Sequence, residues 1–81
     1  MFYSGLIVTC QPGQFAAVGQ ELDRLNVDVH QRHEASGRYV VVLEEPTVDA
    51  ETDRFHTIRT LPGVADVSLV VHRDESDTME N

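Results

Sequence analysis

The chain has 81 residues, of which 41% are hydrophobic and 25% are charged, and its formal net charge at pH 7 is −8. These values are typical of one folded domain, and the acidic balance argues against nucleic-acid binding, which needs clustered basic side chains. No window is long and apolar enough for a membrane span, and the N-terminus lacks the basic segment of a secretory signal. We therefore expect a cytoplasmic protein without stable membrane insertion.

Hydrophobic periodicity predicts the element order βαββαβ. Apolar residues alternate along the strands and recur every three or four residues along the helices. Strands are predicted over 3–11, 27–32, 38–44 and 65–72, and helices over 15–25 and 49–60. Two βα units of this kind form a ferredoxin-like α+β sandwich, in which a four-stranded antiparallel sheet of order 4-1-3-2 carries both helices on one face.

Each predicted helix has one apolar stripe. In the first helix the stripe is Phe15, Val18, Leu22 and Leu25, and Asn26 is a suitable stop. In the second helix, which Thr47 or Asp49 can cap, the stripe is Val48, Thr52, Phe55 and Ile58. Residues 1–73 are predicted to form one domain, and residues 74–81 an acidic disordered tail.

The predicted strands are apolar on both faces, although two short helices cover only one face. The core-facing set is Leu6, Val8, Cys10, Val27, Val29, Tyr39, Val41, Leu43, Val67, Leu69 and Val71. The opposite set, which we call the open face, contains Ile7, Val40, Val42 and Val70, with Asp28, Glu44 and Asp66 around them. A sheet covered on one side is expected to be polar on the other. An apolar open face on an acidic protein therefore predicts a docking surface for an apolar, basic partner.

Signatures of catalysis and of metal binding are missing from the sequence. His30 and His33 are expected on opposite faces of a strand, and no Cys-x-x-Cys motif occurs. No nucleophile elbow or phosphate-binding glycine loop appears. The single cysteine, Cys10, lies in the core-facing set and is expected to be a buried apolar residue. We expect neither an enzyme nor a bound metal or organic cofactor.

Three segments resemble a known family. They are Ser-Gly-Leu-Ile-Val-Thr at 4–9, Ala-Ser-Gly-Arg-Tyr-Val-Val-Val-Leu-Glu at 35–44 and Leu-Pro-Gly-Val-Ala-Asp-Val-Ser-Leu-Val-Val-His at 61–72. Together with the short acidic end, these segments resemble the NapD family, the cytoplasmic assembly chaperones of periplasmic nitrate reductase. The resemblance covers residues 4–72 and has the same element order.

The resemblance implies a chaperone that binds the twin-arginine signal peptide of the nitrate reductase catalytic subunit and delays export until cofactor insertion. Members of that family bind the peptide as a helix across the open face of the sheet. They have no catalytic residues, so the resemblance assigns none to this chain. We expect a monomer whose signal-peptide-binding residues are Ile7, Thr9, Val40, Val42, Glu44, Asp66, Ser68, Val70 and His72.

Two other interpretations remain from sequence. A regulatory or dimerisation domain would pair through its open face, with Ile7 and Val40 in the interface, and would form a stable dimer at micromolar concentration. An acylphosphatase-like enzyme has the same topology but uses a loop arginine, and the first loop, Gln11-Pro12-Gly13-Gln14, has none.

Overall fold

The computed structural model of the chain describes residues 2–74, and for residues 2 and 71–74 it describes the backbone alone. The elements are β1 (Phe2–Cys10), α1 (Phe15–Arg24), β2 (Asp28–His33), β3 (Arg38–Glu45), α2 (Val48–Arg59) and β4 (Val64–Asp74), with a 3₁₀ turn, Glu34–Ser36, between β2 and β3. All strand pairings are antiparallel, and the sheet order is β2-β3-β1-β4. The predicted fold class and strand order are confirmed.

Helix α1 ends where the sequence predicts a stop. Asn26 has a left-handed backbone with φ of 62°. Its N–H donates to the Asp23 carbonyl at 3.1 Å, and the Val27 N–H reaches the Leu22 carbonyl at 3.5 Å. This pair of bonds is a Schellman motif, which satisfies carbonyls that the last helical turn would leave unpaired. The predicted stripe is confirmed, because Val18 and Leu22 are buried and Phe15 and Leu25 pack against the core.

Helix α2 is fixed at its start by a side-chain cap. The Thr47 hydroxyl oxygen accepts a hydrogen bond from the Ala50 N–H at 3.1 Å. Asp49 and Glu51 lie in the first turn and Arg59 in the last, so the charges at both ends oppose the helix dipole.

The predicted stripe of α2 is wrong in its first half. Val48 is 49% exposed and Thr52 is exposed, whereas Glu51 is buried beside the half-buried Phe55. The Ser4 hydroxyl donates to the Glu51 carboxylate, and this bond compensates for burying a charged group. Because Glu51 precedes Phe55 by four residues, the helix is rotated relative to the prediction and its buried face passes through Glu51.

One core lies between the helices and the covered face of the sheet. Its buried members are Leu6, Val8, Cys10, Val18, Leu22, Tyr39, Val41, Leu43, Ile58 and Val67. Tyr39 joins the sheet to α1, since its ring stacks on Phe15 with 4.2 Å between centroids and its hydroxyl donates to the Phe15 carbonyl at 2.6 Å. Gly19 is buried under the Tyr39 hydroxyl, where a methyl group would collide with it.

Extra residues interrupt the ladders of the two outer strands. The β1–β3 register runs without a shift from Phe2–Glu45 to Thr9–Arg38. Along β4, Ala65 and Val70 have no partner in β1, and along β2 His30 has none in β3. Each such β-bulge changes which face the following residues occupy.

The structure corrects two core predictions for β4. Leu69 pairs with Leu6 on the helix side of the sheet, as the alternation predicts, but it is 55% exposed and is not part of the buried core. Val71 pairs with Gly5, an open-face position, so the alternation that assigned it to the core does not continue through the bulge.

The predicted tail lies mostly outside the described residues. Strand β4 includes Asp74, and the remainder of the tail, residues 75–81, is outside the part of the chain that the structure describes. Within residues 2–74, neither helix has the length and hydrophobicity needed to cross a membrane.

Candidate functional site

The centre of the open face is formed by the two inner strands. Val40 of β3 pairs with Ile7 of β1, Val42 pairs with Gly5, and Arg38 pairs with Thr9. Ile7, Val40, Val42 and Thr9 are each half-buried. The predicted apolar centre therefore exists on the uncovered face.

Strand β4 forms one side of the open face. Asp66 pairs with Thr9 and Ser68 pairs with Ile7, and both are exposed. The Ser68 hydroxyl lies 3.5 Å from Asp66 Oδ2. Val70 is the unpaired residue of the bulge and is 56% exposed. His72 pairs with Ser4, whose side chain is buried on the helix side, so the alternation that grouped His72 with Ser68 is interrupted at Val70.

Strand β2 forms the other side. Asp28 pairs with Val42 and Gln31 pairs with Val40, so both belong to the open face. His30 Nε2 lies 3.3 Å from Asp28 Oδ2, and His33 Nε2 lies 2.8 Å from Gln31 Oε1. The two histidines therefore contact residues of the same face, and the prediction of opposite faces is wrong because the bulge at His30 shifts the alternation. Among residues 3–70, whose side chains the structure describes, no three His, Cys, Asp or Glu side chains converge as metal ligands would.

The carboxylates predicted around the apolar centre occupy two separate places. Glu44 pairs with Tyr3 and lies diagonally across the β2–β3 ladder from Asp28, while Asp66 lies at the far end of β1 beside Thr9. A notch of about 110 Å³ separates the start of β2 from the end of β3, and its lining is Asn26, Val27, Asp28, Val42, Leu43, Glu44, Glu45 and Arg54.

Arg54 occupies the helix side of that notch. Its Nη2 donates to the Leu25 carbonyl at 2.8 Å, and its Nε lies 3.6 Å from Glu45 Oε2. Glu45 is thereby paired with a cation on the helix side. Glu44, which is exposed, and Asp28 border the notch from the open face.

A cavity on the helix side of the sheet was not predicted from sequence. It has a volume of about 200 Å³ and is lined by Ser4, Leu6, Leu43, Glu51, Thr52, Phe55 and Leu69. The buried Ser4–Glu51 hydrogen bond lies in its wall. The spacing of Glu51, Phe55 and Ile58, four and then three residues, is the sequence signal that would have assigned Glu51 to the buried face.

Two titratable groups of the core, the Cys10 thiol and the Tyr39 hydroxyl, have raised pKa values. Burial raises the pKa of the Cys10 thiol. Burial is also the main reason why the pKa of the Tyr39 hydroxyl is raised, with a smaller contribution from Cys10. Cys10 is buried, as predicted, and a thiol of raised pKa is a poor nucleophile. The open face, in contrast, offers an apolar centre bordered by carboxylates.

Comparisons with known proteins agree with this architecture. The family model described as NapD protein matches residues 3–76 of the chain. The solution structure of the E. coli Tat proofreading chaperone protein NapD is similar, with a TM-score of 0.80 and 24% sequence identity over 91% of this chain and 80% of the other. No curated protein matched the chain. Because the family match extends from the first strand past the last one, the chain belongs to the NapD family.

Proposed function

We propose that this protein is a cytoplasmic chaperone that binds the twin-arginine signal peptide of the periplasmic nitrate reductase catalytic subunit. Binding delays export of the precursor until its cofactor has been inserted. Membership of the NapD family supports this proposal, as does the similarity of the fold to that of the E. coli Tat proofreading chaperone NapD.

The observation that carries the proposal is the apolar centre of the open face. Ile7, Val40 and Val42 lie next to each other on the two inner strands, on the face that neither helix covers. A signal peptide has an apolar stretch after its arginines, and as a helix it satisfies its own backbone and presents one apolar side. Burying that side contributes about 25 cal/mol per Å² before the costs of ordering.

The carboxylates at the border of the open face, Glu44 and Asp66, account for the selection of peptides that contain arginine. Glu44 and Asp66 are exposed, so an ion pair with either contributes about 0–1 kcal/mol. Carboxylates at the rim act mainly by increasing the association rate of a cationic peptide. Affinity then comes mostly from apolar burial, and the charges select peptides that carry the arginine pair.

The proposed binding residues are the apolar centre of the open face and the residues around it. They are Ile7, Thr9, Val40, Val42, Glu44, Asp66, Ser68 and Val70. We do not include His72, because its assignment depended on the alternation that the bulge at Val70 interrupts. The protein is proposed to act as a monomer, which leaves this face available to the peptide.

A titration followed by backbone NMR tests the proposal. Adding a synthetic peptide with two adjacent arginines and an apolar stretch should shift the amides of Ile7, Val40 and Val42. A peptide with both arginines replaced by glutamine should cause the same pattern at lower affinity. Shifts centred on the outer faces of α1 and α2 would contradict the proposal. A stable dimer by light scattering, with these residues shielded before any peptide is added, would instead favour self-association through the open face.

A further inference from the structure

The charges of the open face are arranged unevenly, and their positions follow from the strand register. At one end of β3, Glu44 and Asp28 lie diagonally across one ladder and share the same notch. At the other end of β3, Arg38 pairs with His33 on one side and with Thr9 on the other. The β3 end near Glu44 is therefore more acidic than the β3 end at Arg38, where one arginine accompanies the carboxylate of Asp66.

Asp66 is too far from Glu44 to join it in holding one arginine pair. Glu44 pairs with Tyr3 and Asp66 pairs with Thr9, positions that are six residues apart on β1. At about 3.3 Å per residue, they are separated by about 20 Å along the strand. Asp66 also stands two strands from Arg38 across Thr9, whereas Glu44 has a second carboxylate beside it. By register, the Arg73 position stands in the same relation to Glu44, two strands away across Tyr3, so the difference between the two ends is the second carboxylate, Asp28, near Glu44.

The apolar centre begins next to the Glu44–Asp28 corner. Val42 pairs with Asp28, and Val40 and Ile7 follow one step further along the face. The distance from Val42 to the level of Thr9 is four residues of β1, or about 13 Å. A helix rises about 1.5 Å per residue, so roughly nine residues of an apolar helix cover it.

We infer that the signal peptide lies on the open face in one direction, with its two arginines at the Glu44–Asp28 corner and its apolar stretch running over Val42, Val40 and Ile7 toward Thr9. This inference rests on the proposed function and specifies how the peptide is placed. The reverse direction would put two guanidinium groups beside Arg38 and His33. It would also leave the two carboxylates of the corner against an apolar segment.

A pair of spin-labelled peptides tests the direction. One peptide carries a nitroxide immediately before the arginine pair, and the other carries it after the apolar stretch. With the first, line broadening should be strongest at the amides of Asp28 and Glu44 and weak at Thr9 and Asp66. With the second, the amides of Thr9, Arg38 and Asp66 should broaden instead.

The opposite assignment, or identical broadening with both labels, overturns the inferred direction while leaving peptide binding intact. If neither peptide binds in the titration, the proposed function is wrong, and the inferred direction of the peptide is wrong as well. The two failures are therefore distinguished by whether binding is seen at all.

Charge variants provide a second measurement. Glu44→Gln should weaken binding of the arginine peptide about two- to fivefold, the range expected for loss of an exposed ion pair, and should leave the glutamine peptide unaffected. Asp66→Asn, which removes the carboxylate at the opposite end of the open face, should weaken binding of the arginine peptide by less. Both residues are exposed, so neither change disturbs the core, and an unchanged amide spectrum verifies this. Equal loss for the two variants would contradict the inferred direction.

Discussion

At the scale of single residues, the contact between Gly19 and Tyr39 decides how closely α1 approaches the sheet. The Tyr39 hydroxyl reaches the Phe15 carbonyl by passing over Gly19, where there is no side chain. Glycine normally weakens a helix by about 1 kcal/mol relative to alanine, through its greater backbone freedom. Here it is required by the close approach of an aromatic ring.

Gly19→Ala is therefore expected to destabilise the protein by about 1–3 kcal/mol, because the new methyl group overlaps the tyrosine hydroxyl. Denaturant unfolding measures this change. In a Tyr39→Phe background, which lacks the hydroxyl, the same substitution should cost less. If the two changes are additive, the proposed collision is not the cause.

The buried thiol and phenol make the free energy of unfolding depend on alkaline pH. Burial raises the pKa of Cys10 and of Tyr39 above their values in the unfolded chain, so the folded state favours the neutral forms. This contribution to stability is complete below the pKa values of the unfolded chain. It is lost as the pH rises from those values through the higher pKa values of the folded state. Unfolding free energy measured from about pH 8 to 11 should therefore fall. Cys10→Ala should reduce the fall at the lower end of this range, and an unchanged profile in that variant would exclude a role for the thiol.

At the scale of elements, α2 begins where a single hydroxyl caps it. Thr47→Ala should cost about 1 kcal/mol, because the Ala50 N–H loses its acceptor. Thr57→Ala is the matched control, since the Thr57 hydroxyl only donates to the Asp53 carbonyl one turn earlier on an exposed surface. Thermal or chemical unfolding of the two variants compares them directly. Equal losses would mean that the cap contributes nothing specific.

The two helices also differ in how well their buried faces could be predicted. The stripe of α1 is entirely apolar, so its periodicity identifies the face that packs on the sheet. The stripe of α2 contains Glu51, whose burial depends on Ser4 of β1, a residue far away in the chain. The spacing to Phe55 and Ile58 fits Glu51 on the buried face, but it does not identify that partner, so Val48 and Thr52 were assigned to the core instead. The β-bulges had no recognisable signal either, which is why Val71 was assigned to the core and His72 to the open face. Leu69 lies on the predicted side of the sheet, but its exposure could not be read from alternation. The inner strands β1 and β3, which pair without a shift, followed the prediction.

The corrected helix faces can be compared by truncation. Leu22→Ala should cost about 2–5 kcal/mol, because Leu22 is fully buried between α1 and the sheet. Val48→Ala should cost less than about 0.5 kcal/mol, because Val48 is exposed. Denaturant unfolding of both variants gives the comparison. A large loss of unfolding free energy in Val48→Ala would mean that Val48 is buried, and it would contradict the orientation of α2 described above.

At the scale of the whole molecule, the sheet separates the residues of the core from those of the proposed binding face. Leu6 and Val41 are buried on the helix side, while their neighbours Ile7 and Val40 are half-buried on the open face. A substitution on one face therefore leaves the contacts of the other face in place. Sequence alternation was sufficient to distinguish these two sets, because the inner strands pair without a bulge.

Ile7→Ser or Val40→Ser is expected to weaken signal-peptide binding by about 1 kcal/mol or more, through lost apolar contact. Each should lower stability far less than Leu6→Ser or Val41→Ser, which bury an unpaired hydroxyl in the core. Calorimetric titration and denaturant unfolding measure the two effects. Loss of stability without loss of affinity at Ile7 and Val40 would show that the open face serves folding alone.

The bulges in the outer strands have a consequence for how copies of the protein meet at high concentration. A straight, apolar strand at the border of a sheet is a template for adding strands from other molecules, the first step of fibre formation. In β4 the regular run between Ala65 and Val70 is only Asp66 to Leu69, and it begins with a charge. In β2 the interruption at His30 lies within a strand of polar residues. Although Leu69 and Val70 are exposed, neither border within residues 2–74 offers the long, even ladder that cross-β stacking needs, so the apolar open face is not accompanied by margins through which copies of the protein would polymerise.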